Sequence, residues 1–289
     1  MALLEVEGLT KRYPGFTLDS VSFRLETGYI MGFIGRNGAG KTTTLKSMLG
    51  LVHADAGSVR IDGTEYREDE HLAKQKLGVA FGGVDYYPRA RLSDIARVTR
   101  RFYEAWDETQ YRALLQRFQL DEKKRARELS QGMKVKFSLA LALSHNAKLL
   151  LLDEPTSGLD PVSREELIEL LQHIVEDGEH SILFSTHITS DLEKCADYIT
   201  YIRGGRIAAS TDLDSFKSEY RLVRGTRAQL TEPLVQKFIG ARKNAFGFTA
   251  LAKAEDAAAM EGLEIAPADL ESIMIYFDGE VPADERIAL

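Results

Sequence analysis

Gly35-Arg36-Asn37-Gly38-Ala39-Gly40-Lys41-Thr42 is the stretch on which the reading of this chain turns. It has the form Gly, four residues, Gly-Lys, then Ser or Thr, which is the pattern of a phosphate-binding loop. By average composition a chance match in a chain of this length has odds of about one in a hundred. The flanks shorten those odds. Residues 29–34, Tyr-Ile-Met-Gly-Phe-Ile, read as a buried strand, and the residues after Lys41 read as a helix ending near Leu49, with Gly50 placed to cap it. A strand, a glycine-rich turn and a helix are what a phosphate needs. Glycines let backbone N–H groups approach without a Cβ in the way, and the helix N-terminus adds a favourable dipole. Lys41 then places a charge at the β- and γ-phosphates, Thr42 offers a hydroxyl to Mg²⁺, and Thr43 reaches an α-phosphate oxygen.

Working outward, the next informative stretch is Asp153-Glu154, which follows the run Leu149-Leu150-Leu151-Leu152. Four leucines read as a central parallel strand. Carboxylates at the C-terminal end of such a strand sit where open α/β sheets bind ligands. Asp153 is expected to hold Mg²⁺, mainly through water, and Glu154 to act as general base on the attacking water. Residues 181–184 form a further apolar run. Ser190-Asp191-Leu192-Glu193 reads as a capping box that opens the next helix.

Between these stations the chain changes character. The first 35 residues alternate apolar and polar with turn signals, as strands do, and Asp62-Gly63 carries a hairpin signature. Residues 92–119 read as helical, with Leu92, Ile95, Val98 and Phe102 on one stripe and Tyr111, Leu114, Leu115 and Phe118 on a second. The fold class is therefore α/β: a phosphate-loop NTPase core with a mainly parallel sheet, an N-terminal antiparallel β subdomain and a helical insertion over about residues 84–145. Residues 1–220 form the nucleotide domain. Residues 221–289 read as a small α/β appendage of unknown role, its helix marked by Leu270, Ile273, Met274 and Phe277 as core packing or, less simply, a partner contact.

Bulk properties narrow the class. The chain has 289 residues, 44% hydrophobic and 28% charged, with a net charge of −7. That balance speaks against a sequence-independent nucleic-acid binder, which carries a basic face. The basic clusters Arg97, Arg100, Arg101 and Lys123, Lys124, Arg125, Arg127 read as solvated helical faces. The opening residues 1–7 lack the basic and apolar regions of a signal peptide, no apolar run approaches membrane-spanning length, and the single cysteine, Cys195, reads as a small core residue in a cytosolic protein.

Taken together the motifs resemble one family, the nucleotide-binding subunits of ABC transporters, over about residues 1–220. Leu129-Ser130-Gln131-Gly132-Met133 is similar to that family's signature motif and ends 20 residues before Asp153. Residues 153–160, Asp-Glu-Pro-Thr-Ser-Gly-Leu-Asp, match its Walker B and D-loop run, ending on Asp160. His187, in Ser185-Thr186-His187, falls 33 residues after Glu154, where the family has its switch histidine, and Tyr13 matches the aromatic that stacks on adenine.

The resemblance implies an ATPase with ATP and Mg²⁺ as its cofactors. It implies a head-to-tail dimer, with itself or a paralogous ATP-binding subunit, in which each ATP lies between one phosphate loop and the other subunit's Ser130 and Gly132. His187 would then bond the γ-phosphate. The partners implied are integral-membrane permease subunits, with the chain peripheral on the cytoplasmic face of the cell membrane and no direct nucleic-acid partner.

Two departures stand out. Gln131 and Met133 replace the third and fifth positions of the family's Leu-Ser-Gly-Gly-Gln. Gly82-Gly83 stand where relatives carry a glutamine after the strand at residues 77–81, with Asp85 the nearest substitute. With Tyr86-Tyr87-Pro88 these resemble the branch that exports drugs, antimicrobial peptides or lipids. The alternative is a soluble relative acting on DNA or the ribosome. DNA-acting relatives insert long coiled coils, but only 88 positions separate Thr42 from Ser130, without sustained heptads. Ribosome-acting ones usually carry two cassettes, and this chain has one phosphate loop. A switch GTPase would carry an Asn-Lys-x-Asp motif, which this sequence lacks.

Overall fold

Alternation in the first 26 residues builds two long strands, and the computed structural model, which describes residues 2–81 and 87–279, pairs them antiparallel. In chain order the first part comprises β1 (Ala2–Tyr13), β2 (Phe16–Glu26), β3 (Ile30–Ile34), α1 (Lys41–Met48), β4 (Ala56–Ile61), β5 (Thr64–Glu65), α2 (Glu70–Gln75), β6 (Leu77–Phe81), α3 (Leu92–Thr99), α4 (Glu108–Arg117), α5 (Gln131–Ser144), β7 (Leu149–Asp153), α6 (Pro161–Val175), β8 (Ser181–Thr186), α7 (Thr189–Cys195), β9 (Tyr198–Arg203) and β10 (Arg206–Asp212). Among the described residues the strands form an antiparallel sheet in the order β2-β1-β4-β5 and a second sheet in the order β10-β9-β3-β8-β7-β6. The neighbours β9-β3-β8-β7-β6 are all parallel.

The apolar runs explain the second sheet. Every residue of β3, β7 and β8 is buried, as strands covered on both faces must be. Leu45 and Met48 of α1 share one core with Leu4, Val6 and Leu9 of β1 and with Phe33, Leu151 and Leu183 of the parallel sheet. Phe23 and Phe33 lie 5.4 Å apart between ring centres and tie the two sheets together. The hairpin at Asp62-Gly63 closes with both residues at positive φ, 48° and 75°. A two-residue type I′ turn requires such angles.

The insertion departs from the expected stripes. Residues 92–119 hold two helices, α3 and α4, rather than one run. Leu92 and Ile95 are buried, but Val98 is 53% exposed and Phe102 66%. Spacing had put all four on one face; among the described residues nothing buries the second half of it. The α4 stripe of Tyr111, Leu114, Leu115 and Phe118 is buried throughout. Nor does the expected capping box form: α7 begins at Thr189 after Ile188, so Ser190 and Asp191 lie inside its first turn. Cys195 is buried and its Sγ donates to the Asp191 carbonyl, 3.2 Å away; burial pushes its thiol up to about 12.

By its internal contacts the chain divides into Met1–Ser210 and Thr211–Leu289, about ten residues before the boundary expected at 220. The second unit contains α8 (Leu213–Ser218), β11 (Tyr220–Gly225), α9 (Glu232–Val235), β12 (Phe238–Lys243), β13 (Phe248–Lys253), α10 (Ala254–Ala257), β14 (Glu264–Pro267) and α11 (Leu270–Asp278). Its described strands make an antiparallel sheet in the order β12-β13-β11-β14. Leu270, Ile273 and Tyr276 are the buried residues of α11, while Met274 and Phe277 are half-buried. The Tyr276 hydroxyl donates to the Thr249 carbonyl at 3.0 Å, which a phenylalanine could not do. No helix among the described residues is long and apolar enough to cross a membrane.

Candidate functional site

Parallel strands end on the same edge of a sheet, and here that edge gathers the residues singled out by motif. Ile34 of β3 lies opposite Thr186 of β8, and Asp153 of β7 opposite Ser185. The loop after Ile34, the pair Asp153-Glu154 and His187 therefore emerge side by side.

The loop itself is shaped by close approach. A Cβ on Gly35 would stand 2.4 Å from the Ile202 carbonyl oxygen, so glycine is required there. Gly38, at φ 81°, has nothing within 4 Å of a Cβ position and faces open space. Arg36, Asn37 and Gly38 are exposed, whereas Ala39 and Gly40 are buried under the turn into α1. Lys41 Nζ donates to the Gly35 carbonyl at 2.7 Å and lies 3.9 Å from Glu154 Oε1. Burial pushes its ammonium below the usual lysine range, opposed by the charges of Glu154 and Asp153.

Asp153 is 8% exposed and both its oxygens are held. Thr42 Oγ1 donates to Oδ2 at 3.1 Å, and Ser185 Oγ donates to Oδ1. Glu154 adopts a left-handed backbone, φ 52°, which turns the chain out of β7 while its N–H donates to the Ser185 carbonyl at 2.8 Å. Its Oε2 lies 2.7 Å from His187 Nδ1, and Thr186 Oγ1 reaches the same oxygen at 3.5 Å. Lys41, Thr42, Asp153, Glu154 and His187 thus form one bonded cluster, and Thr43 stands half-buried beside it. Ser185 and Thr186 belong to it as well. Spacing did not single them out, although their place just before His187 was the available signal.

The residues fit a nucleotide and a divalent cation. Among the described residues no three acidic, histidine or cysteine side chains converge as a self-sufficient metal site. Asp153 and the Thr42 hydroxyl supply two oxygen groups side by side, so a cation there must take its remaining ligands from water and phosphate, as Mg²⁺ does. The open side of the Gly38 turn and the exposed Thr42 leave room for the phosphates.

The other candidates lie apart from this cluster. Ser130 is the N-cap of α5, its Oγ accepting from Met133 N at 3.3 Å, and the bonds it makes run into its own helix. A Cβ on Gly132 would meet Leu159 Cδ2 at 3.5 Å, an ordinary contact. Asp160 caps α6 by accepting from the N–H groups of Val162 and Ser163, both at 3.1 Å. Tyr13, at the end of β1, is 40% exposed, with Lys11 Nζ 5.7 Å from its ring centre. Gly82, Gly83, Asp85 and Tyr86 lie outside the described residues.

Comparison with known proteins agrees with this geometry. Residues 18–157 match the family pattern described as ABC transporter. The chain is 34% identical over 221 residues to the ABC transporter ATP-binding protein YtrB of Bacillus subtilis (strain 168), covering 75% of each. It is 30% identical to the bacitracin transport ATP-binding protein BcrA of Enterococcus faecalis, covering 76% of this chain and 72% of the relative. With the lantibiotic transport ATP-binding protein SrtF of Streptococcus pyogenes it shares 32% identity over 73% of this chain and 92% of the relative. A solved structure of an ATP-binding subunit of an ABC transporter superposes with a TM-score of 0.66 at 28% identity, covering 74% of this chain and 92% of that one. The chain belongs to the ABC transporter family and carries its ATP-binding domain.

Proposed function

We propose that this chain hydrolyses ATP to ADP and phosphate and thereby powers export by separate membrane subunits. The observation that carries the reading is the cluster in which Glu154 Oε2 stands 2.7 Å from His187 Nδ1 and Oε1 stands 3.9 Å from Lys41 Nζ. In this reading the loop N–H groups of residues 35–42 and Lys41 hold the β- and γ-phosphates, and Thr43 bonds the α-phosphate. Glu154 takes a proton from the water that attacks the γ-phosphorus. The bond to the ADP oxygen breaks in line, and Lys41 balances charge on the leaving oxygens. His187 orients Glu154 and meets the γ-phosphate. Thr42 and Asp153 would hold Mg²⁺, which supplies further charge neutralisation when bound.

Ser130 and Gly132 complete the site from a second subunit, this chain or a paralogue, in a head-to-tail dimer. The exposed N-terminus of α5, whose cap bonds only inward, supports that role. The test is sedimentation of Glu154→Gln, which should be dimeric with ATP and mostly monomeric without it. A monomer under both conditions sinks the sandwich.

Export follows from the relatives' bacitracin and lantibiotic transport, so an antimicrobial peptide or lipid-like cargo is proposed, with the chain peripheral on the cytoplasmic membrane face. Residues 82–101 are proposed to meet the membrane subunit. Tyr87 is 77% exposed, and a groove of about 380 Å³ opens between α2 and β6 on one side and the insertion on the other, lined by Gln75, Val79, Val98, Phe102, Leu141 and His145. A serine at Tyr87, with ATP binding intact, should weaken co-purification with the membrane subunit. Unchanged association would move the contact elsewhere.

A further inference from the structure

Helices α6 and α7 each begin beside a residue of the candidate site. Asp160 caps α6, and His187 lies one residue before Ile188, the cap of α7. One turn into α6 stands Arg164, its N–H bonded to the Asp160 carbonyl at 3.0 Å. Inside the first turn of α7 stands Asp191, its N–H directed to the Ile188 carbonyl at 3.3 Å. The two side chains face each other across the helix pair, with Arg164 Nε 4.0 Å from Asp191 Oδ2.

That pair is half-buried and unfinished: the Asp191 side chain is covered, while the Arg164 side chain is 32% exposed and only its Nε end is buried. Asp191 is 2% exposed. Neither Arg164 Nε nor Asp191 Oδ2 has a hydrogen-bond partner, and both atoms are buried. A separation of 4.0 Å is too long for a hydrogen bond. Buried ion pairs hold only when their geometry is good and their remaining atoms are satisfied. Nearby contacts of the same two helices are complete: Gln172 Nε2 donates to the Lys194 carbonyl at 2.9 Å, and Lys194 pairs with Glu165. An approach of about 1 Å between the first turns of α6 and α7 would bring Arg164 and Asp191 to the distance of a charge-assisted bond. Such an approach carries Asp160 with one helix and His187 with the other.

We propose that Arg164 and Asp191 are a positioning pair for ATP hydrolysis, setting His187 against Glu154 according to where the Asp160 loop lies. This rests on the proposed roles of Glu154 and His187. The pair touches no reacting atom and acts through His187. The Asp160 loop runs close to the signature residues, since a Cβ added to Gly132 would lie 3.5 Å from Leu159 Cδ2, so a second subunit that displaces the signature residues would also displace the pair.

The experiment uses the full chain assembled with its membrane subunits. Asp191→Asn, Arg164→Gln, the double variant and Asp191→Glu are compared for kcat, KM for ATP, ATP binding and thermal unfolding, with Glu154→Gln as control. Asp191→Asn and Arg164→Gln should each lower kcat about 10- to 100-fold with KM and ATP affinity within about twofold. The double variant should be no worse than either single one. Asp191→Glu, whose longer side chain spans the gap, should stay within about threefold of the parent kcat. The proposal is overturned if kcat is unchanged in both single variants, if their losses multiply in the double variant, or if Asp191→Glu loses as much as Asp191→Asn. A lowered unfolding temperature with parent kcat also overturns it, since the pair is then structural. If Glu154→Gln itself hydrolyses at the parent rate, the proposed ATPase chemistry is what has failed.

Discussion

Two helix N-termini in this chain carry glycines, and they hold them for different reasons. At the start of α1 the fold demands glycine: a Cβ on Gly35 would meet a backbone oxygen at 2.4 Å, and one on Gly40 would crowd Phe16 Cζ at 3.1 Å. At the start of α5 the fold makes no such demand. A methyl on Gly132 would touch Leu159 at 3.5 Å and nothing closer. The α1 end is also wired into its surroundings through Lys41, Thr42, Asp153, Glu154 and His187, while Ser130 bonds into its own helix. One region is wired within this chain. The other, in the proposed head-to-tail dimer, is the half that a second subunit's nucleotide would meet.

The largest effect lies in the wired half. Glu154→Gln keeps the shape and removes the proposed base, so hydrolysis should fall roughly 10²–10⁴-fold while ATP binding persists. Lys41→Ala should instead weaken ATP binding itself. Single-turnover hydrolysis and equilibrium nucleotide binding separate the two, and a Glu154→Gln enzyme at parent rate would remove the distinction on which the comparison stands.

Gly132→Ala tests the other half. Alanine in a helix is more favourable than glycine by roughly 0.5–1 kcal/mol, so the unfolding temperature should hold or rise. In the proposed dimer the added methyl would crowd the helix N–H groups that meet a partner's phosphate, and lost N–H bonds to a charged group correspond to about 10- to 100-fold in ATP-driven dimerisation and in hydrolysis. Sedimentation and steady-state rates check it. Parent behaviour in both would show that α5 meets no nucleotide.

The far end of α5 sharpens the contrast, because there a titratable ring is packed into this chain's own interior, its Nδ1 buried without a hydrogen-bond partner. His145 caps the helix, is 3% exposed and stacks on Tyr103 with ring centres 3.5 Å apart. Burial pushes its imidazole down to about 4 from an ordinary value of 6.5. The unfolded chain therefore takes up a proton below pH 6.5 that the folded chain refuses until about pH 4. Stability should fall as pH drops through that window, by about 1.4 kcal/mol per pH unit at most. Between pH 7.5 and 5 the parent should lose about 2 kcal/mol more than His145→Phe in denaturant unfolding. Equal losses would mean that the imidazole is hydrated and accessible.

The smallest effect is at Tyr13. It stands exposed beside Lys11, and Tyr13→Ala should weaken ATP binding by about 1 kcal/mol, the low end for a base stacked on an aromatic ring. Fluorescence titration of an ATP analogue would show it, and an unchanged affinity would place adenine elsewhere.

Much of this was legible in the residues because the chemistry is local. The phosphate loop is eight contiguous positions between a strand and a helix, and its backbone requirements are written as glycines. The four leucines before Asp153 declare a buried strand, and the acidic pair after them declares an edge. What local pattern could not supply was coverage. Periodicity says which residues share a face, not whether anything packs on it, so Val98 and Phe102 share a stripe with the buried Leu92 and Ile95 and yet stand exposed. In the same way Tyr276 took a core place in α11 that the apolar stripe had assigned to its neighbours, because its hydroxyl found the Thr249 carbonyl.

By itself, then, the sequence determined the α/β class, the phosphate loop, the acidic strand end and the family, since each rests on short-range spacing and backbone need. The tertiary structure alone decided that Glu154 and His187 are bonded, because residues 33 apart meet only when β7 and β8 lie side by side in one register. It alone placed Ser185 on Asp153 and set Arg164 opposite Asp191. Those pairings depend on how strands stack and helices cross, and a packing distance between distant segments leaves no mark on the order of residues along the chain.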